Sequence, residues 1–159
     1  MIRILILALL CGQYCSGQLK KEFLKTIKDS LTSDSWRICN VDNSFTKKDT
    51  IYLFKRVLNS KDQEEIDNQY DNCCKYITWN FIRKNSISQY DVDHCNQIFK
   101  GIEISSEHIK IKVAEENNRT ILRRFWKNKI LDSFYITEIK NVVFSDNLRS
   151  KEITLIRIK

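Results

Sequence analysis

Between Leu19 and Leu31 the apolar positions are Leu19, Phe23, Leu24, Ile27 and Leu31, three or four residues apart, with Lys20, Lys21, Lys25 and Lys28 between them. That spacing puts the apolar side chains on one stripe and predicts a single amphipathic helix covering a core. Beyond it the period falls to two. Trp36 to Val41 and Thr50 to Val57 read as strands, the second carrying Ile51-Tyr52-Leu53-Phe54. Asn59 to Asn72 is polar and acidic with only Ile66 and Tyr70 apolar, and reads either as a long loop or as a short surface helix. Ile77, Trp79 and Phe81 then alternate through Tyr76 to Ile82, Lys84-Asn85 offers a tight reversal, and Ser86 to Val92 resumes the strand. A further hairpin is predicted from Ile102-Glu103-Ile104 through Ser105 to His108 into Ile109 to Val113. Strands at Ile121 to Trp126, Phe134 to Ile139, Val142 to Phe144 and Ile153 to Ile158 complete the pattern.

One helix followed by roughly eight to ten short strands, mostly joined by hairpin-length links, predicts a mostly β fold. Closing an antiparallel up-and-down barrel, or curling the sheet strongly, hides the strand edges. The alternative is an α+β arrangement with the helix packed on an open antiparallel sheet. In a barrel the inward set would draw on Trp79, Phe81, Tyr90, Ile104 and Ile111.

The two ends differ in kind. Arg3, the apolar run Ile4 to Leu10 and the small residues Cys15, Ser16 and Gly17 have the layout of a secretory signal peptide. The run is far shorter than the about 20 residues that span a bilayer. Residues 1–17 are therefore expected to be a leader and 18–159 a single domain with no membrane span, exported to the extracellular space or a periplasm. Past that leader the chain holds one glycine, Gly101, and no proline, which argues against a glycine-rich phosphate loop. The formal charge of +7 is spread along the chain, as on a solvated surface, so a nucleic-acid partner is not expected and a monomer is.

Four cysteines lie past the leader: Cys39, Cys73, Cys74 and Cys95. An even number in an exported domain points to two disulfides. A bond between the neighbours Cys73 and Cys74 would strain their ring. Folding about Lys84-Asn85 sets Trp79 opposite Tyr90, Ile77 opposite Val92 and Cys74 opposite Cys95. Opposed residues bring their Cβ atoms to about 4.5–5.5 Å, near what a disulfide requires. The expected pairs are Cys74 with Cys95 and Cys39 with Cys73. A one-residue slip or a bulge would instead give Cys73 with Cys95 and Cys39 with Cys74. A zinc site fits poorly, since there is no CxxC pair and the only histidines are His94 and His108.

Asp34-Ser35-Trp36 opening the first strand after a helix, then Ile51-Tyr52-Leu53-Phe54-Lys55-Arg56 as the second, then a cysteine leading into a third, resembles the lipocalin superfamily. The likeness covers roughly Ser33 to Val92. It implies that Trp36 plugs one end of the barrel and that an arginine, Arg149 or Arg157, packs on it. Asp34 stands where the family has a glycine, and the sequence offers no C-terminal helix after the last strand.

A barrel of this size holds one small, mostly apolar ligand or is filled by its own side chains. The first reading is a non-enzymatic binding protein with Tyr52, Phe54, Trp79, Phe81 and Tyr90 lining the cavity and no cofactor. The second is a protein-interaction or inhibitor domain that acts through loops such as Asn59 to Asn72. An enzyme fits least: candidates for acid and base such as Asp91, Asp93 and His94 sit at the end of a hairpin beside a predicted disulfide, where a solvated turn is expected. Asn118-Arg119-Thr120 is a glycosylation sequon.

Overall fold

The structure is a computed structural model that describes residues 17–28, 35–56, 73–95, 109–143 and 149–159. Residues 17–28 form helix α1. The strands are β1 (Ser35–Cys39), β2 (Thr50–Lys55), β3 (Lys75–Arg83), β4 (Ser86–Asp93), β5 (Ile109–Glu116), β6 (Arg119–Trp126), β7 (Lys129–Val143) and β8 (Arg149–Arg157). A 3-10 turn, Val41–Asn43, runs into a one-turn helix α2, Ser44–Lys47, in the β1–β2 link. The Asn59 to Asn72 stretch, the Ile102 to Ile104 half of the second predicted hairpin and the leader lie outside the described residues.

The eight strands close into an antiparallel barrel in the order β1-β2-β8-β7-β6-β5-β4-β3. This is the expected class, with one departure from an up-and-down meander. Strand β1 pairs with both β2 and β3, so it sits between two strands that follow it in the chain. A hairpin-length β2–β3 link would have forced those two together, and residues 56–74 are long enough to pass the intervening strand. The separate strands expected at Phe134 to Ile139 and from Val142 onward are, as far as Val143, one strand, β7, with a register shift against β8 between Ile136 and Glu138; Phe144 lies outside the described residues.

The β3–β4 hairpin forms at Lys84-Asn85, but its register differs by one from the expected one. Arg83 faces Ser86, then a bulge intervenes and Phe81 faces Ile87, Trp79 faces Gln89, Thr78 faces Tyr90 and Tyr76 faces Val92. The physical reason lies in the turn. Neither Lys84 nor Asn85 has positive φ, so the reversal is not one of the primed turns that hold two strands in direct register. Asn117-Asn118 (φ 50° and 59°) and Lys127-Asn128 (φ 47° and 66°) do have positive φ at both positions and close the β5–β6 and β6–β7 hairpins tightly.

The disulfides nevertheless join Cys39 to Cys73 and Cys74 to Cys95, with Cα separations of 5.8 and 5.1 Å. Cys74 and Cys95 lie past the last ladder pair, Lys75 with Asp93, where the chain bends back at His94 and donates the His94 N–H to the Cys74 carbonyl. That freedom absorbs the slip of one residue.

Candidate functional site: a rim groove beside a filled barrel

Alternation along the strands sends Trp36 and Ile38 of β1, Ile51 and Leu53 of β2, Ile77, Trp79 and Phe81 of β3, and Ile153 and Leu155 of β8 to the interior. Ile111, Leu122, Phe134 and Ile136 complete the wall, and all belong to one continuous buried cluster. Helix α1 closes the barrel over Phe81. Its Phe23 and Ile27 are fully buried, and Phe23 meets Phe81 edge to face at 6.4 Å. Trp36 is fully buried in the same group and meets the other side of the Phe81 ring at 6.4 Å.

Phe45, carried inward by α2, closes the opposite part of the core against Trp79 (6.2 Å) and Phe134 (6.3 Å). Beside these rings lies a buried ionic cluster. Arg124 stands on β6 at an inward position between Leu122 and Trp126, and its guanidinium lies 4.7 Å from the Trp79 ring centre and 5.2 Å from Phe45. It donates two parallel bonds of 2.6 Å to Asp132 and a third to Gln89, whose Oε1 also accepts from Trp79 Nε1 at 2.9 Å. Arg157 stacks on Phe45 and Phe134, donates to the Phe45 carbonyl and approaches Asp132 at 3.5 Å. Among the described contacts Arg124 lies over Trp79, and Arg157 stacks on Phe45 and Phe134 instead of Trp36; the side chain of Arg149, the other arginine expected there, lies outside the described residues. The signal available in the sequence was Arg124 itself, a charged residue at an inward-facing step of a strand.

The five residues expected to line a cavity are divided between two faces. Trp79 and Phe81 are interior and buried. Tyr52 points outward and is 49% exposed. Phe54 and Tyr90 are also outward, in a second small cluster with Cys73, Tyr76 and Val92 beside the Cys39–Cys73 disulfide. The correction for Tyr90 follows from the bulge: it faces Thr78, not Trp79, and so lies across the sheet from the core. On that outer face Arg37 is buried with its guanidinium 4.7 Å above the Tyr76 ring. Among the Asp91 to His94 string, Lys75 bridges Asp93 at 3.5 Å, and the His94 ring packs on Tyr76 at 6.1 Å. Burial raises the Asp91 carboxyl above its ordinary range. Asn118 occupies an exposed turn position.

A ligand-sized groove of about 630 Å³ opens at the rim between the 3-10 turn with α2 and strands β1 and β2, lined both by the core residues Ile38, Phe45 and Ile51 and by the outward Tyr52 and Phe54. Val41, Phe45, Tyr52 and Phe54 give it an apolar wall, and Lys47, Lys48 and Lys140 stand along it. Lys140 is held by Glu152 at 2.8 Å with Glu138 at 3.7 Å, and the two carboxylates, Glu152 foremost, raise its pKa. Ser44 ties the α2 segment down by donating to the Cys39 carbonyl at 2.7 Å, and Asn40 Oδ1 accepts from the Phe45 N–H at 3.1 Å.

The fold and its groove thus define a closed eight-stranded antiparallel barrel with a packed interior and two disulfides. Compared with protein-family models, curated proteins and solved structures, the chain matches none.

Proposed function

We propose that this chain is an exported, non-enzymatic binding protein that takes a small amphipathic ligand in the rim groove. The observation that carries the reading is the contrast between the two spaces. The interior is occupied by contiguous aromatic and aliphatic side chains. The groove has the volume of a small-molecule site, an apolar wall and polar groups at its edge. Two disulfides support the exported setting, and no described helix is long and apolar enough to cross a membrane. A lipocalin-like ancestry is part of the same proposal, supported by the eight-strand closure and strained by the position of β1.

The test is titration of the oxidised protein with a naphthalene sulfonate dye and with medium-chain fatty acids. Val41 and Tyr52 are both exposed, so V41S and Y52A should leave the fold intact. Together they should weaken binding about tenfold, a loss of about 1.4 kcal/mol. Binding that ignores both substitutions, or no binding at all, rejects the groove.

A protein-interaction reading has one observation in its favour: Ile130 and Leu131, adjacent at the start of β7, are 59% and 49% exposed. In that case I130S/L131S would abolish partner binding and leave the dye titration unchanged.

A further inference from the structure

A second groove, of about 500 Å³, lies over the junction of β4 and β5, apart from the rim groove. Its cations are Arg83, Lys110 and Lys127, and its described lining contains no carboxylate. Among the described residues none of the three takes part in an ion pair, whereas Lys75, Arg123, Arg124, Lys140, Arg157 and Lys159 all do. Like charges gathered around one concavity without a counter-charge set up a field that favours an anion.

Ser86 adds an independent sign. It lines the same groove, is 7% exposed, and its hydroxyl has no hydrogen-bond partner. A buried hydroxyl left unsatisfied is costly, and an oxyanion in the groove would accept from it.

The layout indicates what kind of anion. Arg83 faces Ser86 on the neighbouring strand, Ser86 faces Lys110, and Lys110 faces Phe125, so the four form one row across β3, β4, β5 and β6. At the usual strand spacing Arg83 and Lys110 stand about 10 Å apart along that row. Exposed Lys84 and Lys129 lie next to the groove in the chain. A spread row suits a chain bearing several anions better than a single phosphate.

Two rings line the groove, Phe125 and Trp126, and Trp126 packs against the core with the Lys127 ammonium over it at 5.9 Å, which leaves the half-buried Phe125 as the one ring of the row on which a nucleobase could stack. A single-stranded nucleic acid needs open aromatic faces.

We propose that the groove over the β4–β5 junction binds a sulfated polysaccharide. The Arg83 fork and the two lysines pair with sulfates, and Ser86 donates to a sulfate oxygen. The site is separate from the rim groove and does not depend on the small-ligand reading.

The test is equilibrium binding of the full oxidised protein to a heparin-type polysaccharide, its desulfated form and a single-stranded oligothymidine, over a range of salt. R83Q/K110Q/K127Q should weaken binding to the sulfated chain at least tenfold and flatten its salt dependence. K21Q/K25Q/K28Q removes the same number of charges from exposed positions of α1 and should change affinity less than twofold. Near-ultraviolet circular dichroism of both variants should match the parent. Equal weakening by the two triple variants would reduce the effect to net charge and overturn the site. So would desulfated chain or oligothymidine binding as tightly as the sulfated one, or no binding of the sulfated chain.

Discussion

Arg124 occupies a step of β6 where alternation would place an aliphatic residue, and the structure surrounds it with three aromatic rings and a carboxylate. Its paired bonds to Asp132 hold a planar fork that an ammonium cannot reproduce. Removing the guanidinium leaves Asp132, itself only 13% exposed, with Arg157 at 3.5 Å as its remaining cation. Arg124→Ala should therefore destabilise the fold by about 3 kcal/mol, the lower part of the range for breaking a buried pair. Urea unfolding with the disulfides intact measures it, and Arg124→Lys should recover less than half. Asp91 presents the opposite case. Burial raises its pKa, so the folded state tolerates the neutral carboxyl better than the charged one. Its favourable contribution is complete below the ordinary carboxylate range and is lost as pH rises through the raised value. Asp91→Asn should thus raise the melting temperature at pH 7 and leave it nearly unchanged at pH 3. An equal gain at both pH values would remove burial as the cause.

At the scale of elements, the chain advertises its turns unevenly. The asparagines at Asn117-Asn118 and Asn128 sit where positive φ is needed, whereas Asn85, the one that the sequence pattern singles out, does not. The hairpin at Lys84-Asn85 was legible and its bulge was not, because the bulge goes with a turn that has no positive φ at either position, and two-residue alternation does not record it. A one-residue shift decides which side chains share a face. Tyr90 and Val92 consequently lie opposite Thr78 and Tyr76 and outside the core. The disulfide pairing was legible because it tolerates that shift, and the helix because its period is long. The place of β1 between β2 and β3 was hidden, since it depends on pairing across residues 56–74.

For the molecule as a whole, the decisive property is that the barrel is a core and not a container. Eight strands leave room for side chains or for one small ligand. Here Phe23 of α1 and Trp36 pack on Phe81, and Phe45 of α2, Trp79 and Phe134 pack on one another, two ring groups with contacts of 6.2–6.4 Å inside one buried cluster that also holds the aliphatic wall. Phe81 is the point to probe, because Phe23 and Trp36 pack on it edge to face and none of the charged cluster touches it in these ring contacts. Phe81→Ala should cost about 3–5 kcal/mol, the loss of its transfer free energy plus that of an unfilled cavity. A cavity walled by Phe23, Trp36 and aliphatic side chains is apolar, so it should stay dry and accept benzene. Added benzene should therefore raise the melting temperature of Phe81→Ala by several degrees and leave the parent unmoved. Ligand that binds only the native state stabilises in proportion to its occupancy, which makes the shift depend on benzene concentration in the variant alone. A comparable shift in the parent would mean that room for a ligand already exists inside the barrel, and the site of binding would then move from the rim to the interior.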